Sequence, residues 1–299
     1  MSDILPLTIG VLRTLGLAGT TPESPGAVVA PPLTRFDRFA ADNRQAFEQI
    51  GALPEEQIVA EERRLAAEVT EILRSLKPLI GEGVSRLEIQ EHVLQQLDSR
   101  DLLPALVGYK GYPAAVPVSV NAELISVPPS EKLLPASALV KVEVMASSRK
   151  GYGAQSWTFA TPDASAEQLR LLACAKQALE QGLRQVRAGA PVGDIGAAIQ
   201  DVLDTQGFSA VAEYCGYGMG RQRIQEPQVL GYRAAGNSAP MVAGQVLNVQ
   251  VLAKAGSRAI RIRADGWSVL AQDRGDGVVL SAMIRVTEDG AERLSRFVD

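Results

Sequence analysis

Glu213–Tyr232 reads EYCGYGMGRQRIQEPQVLGY. Gly216, Gly218 and Gly220 stand at alternate positions, where a missing Cβ lets the backbone run close to a neighbour or take conformations closed to other residues. Arg221, Gln222, Arg223, Gln225 and Glu226 follow, and Pro227 ends the segment. A glycine-spaced stretch that turns polar reads as the floor or rim of a site rather than as core.

Outward from this stretch the chain is regular. Towards the C-terminus, Leu247, Val249 and Val251 alternate with Asn248 and Gln250, and Leu280, Ala282, Ile284 and Val286 alternate with Ser281, Met283 and Arg285. Both patterns predict strands with one apolar face. Towards the N-terminus, helices are expected over about 192–206 and from the Ser165–Gln168 capping box to Gly189. A strand-rich segment spans Val107 to Phe159. In it, Val140, Val142 and Val144 share one face, and Lys141, Glu143 and Met145 the other. Before it come a helix opened by the Ser85–Glu88 capping box and an amphipathic helix carrying Ile58, Leu65, Val69, Ile72, Leu73, Leu76 and Ile80. The order helix–helix–strands occurs twice and suggests two similar halves.

Residues 1–54 read as an N-terminal extension. A short helix is expected over Ile4–Leu17, a linker over Thr20–Pro32 with four prolines, and a second helix over Phe36–Ile50. Phe36, Phe39, Phe47 and Ile50 on that helix are expected to dock on the main domain (55–299) or on a second copy.

With 299 residues, 46% of them hydrophobic, the chain can bury a large core. A net charge of −4 argues against a nucleic-acid or anionic-membrane surface. No run approaches the ~18 apolar residues of a membrane span. The first residues lack the basic start of a signal peptide, so a cytoplasmic protein is expected. Cys174 and Cys215 have no metal-type spacing and read as buried thiols. His92 is the single histidine. Any chemistry needing a histidine ligand or base is confined to that position, which reads as a packing or surface residue of its helix.

The ordered motifs GYKGYP (108–113), SVN (119–121), GAPVGDIGAAIQ (189–200), EYCGYGMGR with EPQVL, ADGW (264–267) and VTEDG (286–290) resemble the type I methionine aminopeptidases over roughly Glu56 to Leu294. The resemblance implies an α/β (α+β) pita-bread fold, with two pseudo-symmetric halves of curved antiparallel sheet around a central pocket and helices outside. It also implies a two-metal site. Carried over position by position, the metal ligands fall on Glu143, Ala154, Tyr217, Gln250 and Ser281. The substrate-handling histidine falls on Ser126 and the second pocket histidine on Ile224. Only Glu143 keeps a carboxylate. A divalent pair needs several charged oxygens to offset dehydration and mutual repulsion, so no metal cofactor is expected. Without a metal there is no acidified water and no peptidase activity.

The same carry-over places a side-chain pocket at Leu106, Tyr109, Tyr112 and Trp267. Lys110 and Arg223 stand where the family has uncharged or histidine residues, so both are candidates to hold an anionic or zwitterionic ligand. Glu143, Gln250 and Ser281 share the non-valine phase of their strands and are expected to face one cavity. Two functions compete. One is a pseudoenzyme that binds a peptide N-terminus, a small molecule or a partner protein. The other is a metal-independent enzyme acting on a small amino-acid-like substrate, with Glu143 or Tyr217 as acid or base.

Overall fold

Residues 34–298 are described by a computed structural model of the chain. The helix expected over Ile4–Leu17 and the linker over Thr20–Pro32 lie outside the described residues. Helix α1 (Arg35–Gly51) opens on a capping box in which Thr34 Oγ1 accepts the Asp37 N–H and the Asp37 carboxylate accepts the Thr34 N–H. Ala46 and Ile50 are buried, and Asn43 donates to the carbonyls of Pro104 and Val107 at 3.0 and 3.1 Å. The helix therefore docks on its own domain. Limited proteolysis should leave Arg35–Gly51 attached to the body; early cleavage between Phe39 and Ile50 would contradict the docking.

Helix α2 (Glu55–Arg74) carries the long apolar stripe. It stops short of Ile80 because Pro78 has no N–H and starts a separate 3₁₀ turn, Lys77–Leu79. Helix α3 (Arg86–Asp98) begins at Ser85 with the expected capping box, and α4 (Ala166–Leu183) does the same at Ser165. The α4 helix ends at Leu183, short of Gly189, and α5 (Gly193–Thr205) follows. His92 of α3 lies 2.8 Å from Ser75 Oγ and is half-buried, a packing role.

The strands are β1 (Leu103–Pro104), β2 (Val118–Val120), β3 (Glu123–Ile125), β4 (Leu139–Ser147), β5 (Tyr152–Ala160), β6 (Ser209–Ala210), β7 (Gly216–Met219), β8 (Gln225–Val229), β9 (Val246–Lys254), β10 (Ile260–Ile262), β11 (Val269–Ala271), β12 (Gly277–Val286) and β13 (Ala291–Arg293). In the first half β4 pairs along its whole length with β5, while β2 and β1 share its other edge. In the second half β9 pairs along its whole length with β12, and β7 and β6 share its other edge. A third, small sheet runs β10–β11–β3. All pairings are antiparallel.

The two halves meet where β5 runs beside β12. Side chains stitch that seam. Ser281 Oγ accepts the Ser156 N–H at 2.9 Å, and Met283 Sδ accepts the Ala154 N–H at 3.1 Å. Thr158 Oγ1 donates to the Val279 carbonyl at 2.7 Å and accepts the Val279 N–H at 3.0 Å. The valine faces of β4 and β9, with Leu280, Ala282 and Ile284 of β12, pack against α2 and α4 as the main core. The opposite faces form a second cluster around Met145, Ala154, Tyr217 and Met283. The period-two alternation thus sorts core from site as expected.

Lys141 lies on that second face but is fully buried at its far end. Its ammonium donates to the carbonyls of Asn121 (2.7 Å) and Gly277 (3.1 Å), joining the first half to the start of β12. Burial pulls its pKa down to about 7.

Candidate functional site

Four strands bring the candidate residues together. Glu143 sits at the centre of β4. Ala154 of β5 is opposite Met145, Gln250 of β9 is opposite Ser281, and Tyr217 of β7 is opposite Asn248. The glycines flanking Tyr217 answer to strand spacing. A Cβ on Gly216 would lie 2.1 Å from the Asn248 carbonyl oxygen, and one on Gly218 would lie 2.4 Å from that of Glu226. Only glycine admits so close an approach, and it presses Tyr217 onto the site as its floor.

Between these strands is a cavity of about 30 Å³, lined by Glu143, Ala154, Tyr217, Asn248 and Gln250 and on its apolar side by Leu106 and Ile224. That volume holds one or two waters, about a tenth of the smallest usual small-molecule pocket at roughly 300 Å³. Glu143 is the one residue of β4 that is not fully buried, and its exposure is into this cavity. Its carboxylate accepts the Ser126 N–H at 3.0 Å, while burial pushes its pKa up to about 7. Burial also pushes the Tyr217 hydroxyl far up, against a hydrogen bond from the Asn248 side chain. Tyr217 stays a phenol at neutral pH, able to donate a proton rather than to take one up.

Ser281 departs from the expectation that it faces the cavity with Glu143 and Gln250. It is fully buried but does not line the cavity; its hydroxyl lies at the β5–β12 seam, taken up by the Ser156 N–H. Arg223 is engaged by its neighbours. Its guanidinium lies 3.8 Å from the Tyr109 ring centroid and 4.9 Å from that of Phe47, and it donates to the Ala105 carbonyl. Burial pulls its pKa down to about 10. A ligand would have to share its guanidinium with these contacts. Lys110 is exposed, with its ammonium 5.4 Å from the Tyr109 ring. Tyr112 and Trp267 are buried against each other edge-to-face at 5.2 Å and lie beside the cavity rather than in its lining.

Helix α1 packs near this region. Phe47 packs edge-to-face on Tyr152 at 5.4 Å, and Arg221 donates to the Gly51 carbonyl at 3.3 Å. Phe47, Arg223 and Tyr109 thus form a stack without lining the cavity themselves; Arg223 and its acceptor Ala105 are next in the chain to the lining residues Ile224 and Leu106. Phe47, Asn248 and Tyr152 are neighbours of the candidate site that motif reading missed. Asn248 could have been found from its position two residues before Gln250 on the same strand face.

The residues at the expected metal positions do not fit a divalent pair. Ala154 has no donor, Ser281 is turned to the seam, Tyr217 is a phenol and Gln250 is neutral. One carboxylate remains. Among the described residues, no group of three or more His, Cys, Asp or Glu side chains could hold a metal ion.

Comparison with known proteins places this geometry among peptidases. The profile of metallopeptidase family M24 matches residues 60–288. The methionine aminopeptidase of Escherichia coli strain K12 is 33% identical over 234 residues, covering 78% of this chain and 88% of that one. The crystal structure of methionine aminopeptidase from Rickettsia prowazekii superposes with a TM-score of 0.78 at 26% identity, covering 82% of this chain and 99% of that one. The Thermotoga maritima methionine aminopeptidase gives a TM-score of 0.77 at 25% identity, over 80% and 97%. These neighbours carry the pita-bread fold, and Arg35–Gly51 precedes the matched region. Among the described residues no helix is long and apolar enough to cross a membrane.

Proposed function

Because the chain belongs to metallopeptidase family M24 and is methionine-aminopeptidase-like, we propose that it is a non-hydrolytic member of that family, a binding protein built on the peptidase frame. The observation that carries this reading is the donor set. Of the five positions that would hold a divalent pair, Glu143 alone retains a charge, and Ser281 is committed to the β5–β12 seam. The small cavity and the nearby stack of Phe47, Arg223 and Tyr109 support it further. A peptide N-terminus entering from that side would have to displace Phe47 from both Tyr152 and Arg223. Recognition of a partner protein therefore falls on the outer surface or follows movement of α1.

Elemental analysis tests the premise. After extensive dialysis the protein should carry no stoichiometric divalent metal, and Co²⁺, Mn²⁺ or a chelator should leave its melting temperature unchanged. About two bound ions per chain would overturn the reading.

A second reading rests on Glu143. A carboxyl pushed to about 7 inside a cavity suits proton transfer at neutral pH. A metal-independent enzyme would use it as acid or base on a small amino-acid-like substrate, once α1 has moved. Turnover that is insensitive to chelators and lost in Glu143→Gln would establish that reading.

A further inference from the structure

The lining of the central cavity is unbalanced in hydrogen-bonding chemistry. Asn248 is 3% exposed and Gln250 is 5% exposed, and both line the cavity. Their side-chain carbonyl oxygens, Asn248 Oδ1 and Gln250 Oε1, have no hydrogen-bond partner among the described residues. The Asn248 amide is already engaged with Tyr217. Glu143 faces the same space, and only one of its oxygens is held, by the Ser126 N–H. Ser126 adds a further buried and unpartnered hydroxyl oxygen beside it.

Buried acceptors left unpaired are costly, and native proteins fill such sites. The acceptors here are a carboxylate and two amide carbonyls. One or two waters could donate to these oxygens, but neutral water leaves the buried Glu143 charge unpaired. A divalent ion would leave a net positive charge buried against one carboxylate. One positive charge against one negative charge leaves none. Oxygen-only ligation by carboxylate and carbonyl groups suits a hard cation. The space, about 30 Å³, admits an occupant of water size.

We propose that this cavity binds one monovalent cation, potassium or ammonium, on the Glu143 carboxylate and the side-chain carbonyls of Asn248 and Gln250. The ion would take the centre of the former catalytic site and hold β4 to β9, a structural role in place of a catalytic one. The proposal rests on the absence of a divalent pair argued above, and the two fail separately. Divalent metal in dialysed protein would sink the earlier reading, whereas indifference to monovalent salts in metal-free protein would sink this one alone.

The test compares melting of the full chain in potassium, ammonium, sodium and choline chloride at equal ionic strength. Potassium or ammonium at several times its dissociation constant should raise the midpoint by about 2–4 °C over choline. The rise should vanish in Glu143→Gln, whose own melting in choline reports whether it folds. Wild-type crystals soaked in thallium(I), a heavy stand-in for potassium, should show an anomalous peak between Glu143, Asn248 and Gln250. An ammonium-only response in melting, with ammonium competing out the thallium peak, would identify ammonium as the occupant. Equal melting in all four salts, or a thallium peak only elsewhere, overturns the proposal.

Discussion

Incubated with Met-Ala-type peptides and Co²⁺ or Mn²⁺, the protein should release no methionine above a no-enzyme control. Enzymes supply rate enhancements of at least about 10⁶, and in a two-metal peptidase much of this comes from activated water and Lewis-acid polarisation. Neither is available from Glu143 alone. Ala154→Asp should not restore activity. It would return one carboxylate to β5 while Gln250 stays neutral, Ser281 stays turned to the seam and Tyr217 occupies the floor. Helix α1 adds to the change from a peptidase site, since its Phe47 engages Arg223, the neighbour of the lining residue Ile224. Chelator-sensitive methionine release by the unmodified protein would refute both the ligand argument and the proposed function.

Replacing Glu62 by leucine should stabilise the protein strongly at alkaline pH and little in acid. Glu62 lies on α2 between Ile58 and Leu65 and is 0% exposed, and both carboxyl oxygens lack a partner among the described residues. Burial, with a smaller contribution from Glu55, pushes its pKa from 4.5 up to about 8. The folded state holds this proton more tightly than the unfolded state. Stability is therefore fullest below about pH 4.5, falls as pH rises, and has lost this contribution once pH passes about 8. The cost above that pH is on the order of 5 kcal/mol as an upper bound.

Glu143, also raised, acts in the same sense, while Lys141, lowered to about 7, acts in the opposite one. Both are common to wild type and variant and cancel in the difference. Urea unfolding at pH 5 and pH 8.5 reads that difference directly. A Glu62→Leu gain no larger at pH 8.5 than at pH 5 would refute the assignment.

Much of the frame was legible in the chain. The capping boxes at Ser85 and Ser165 placed two helix starts, because a side chain three residues ahead must satisfy an otherwise unpaired N–H. Alternation in β4, β9 and β12 told the packed face from the site face, because successive side chains in a strand point oppositely. The motif pattern pointed to the pita-bread fold, and the neutral residues at 154, 217, 250 and 281 were visible as a missing donor set. The end of α2 was read too late, since apolar periodicity runs on past Pro78 although the helix cannot.

The sequence by itself determined which chemical groups exist and which face of its strand or helix each takes, since both follow from residue type and a local period. Tertiary structure alone decided how those groups are used. Ser281 shares the phase of Gln250's partner positions, yet the neighbouring edge of β5 turns its hydroxyl to the Ser156 N–H. Arg223 carries the charge a ligand-binding residue needs, yet Phe47, far away in the chain, takes its guanidinium. Glu62 looks like any surface carboxylate until α2 lies against β5. Hydrogen bonds and ring contacts between distant segments depend on how whole elements pack, and no local spacing encodes that distance.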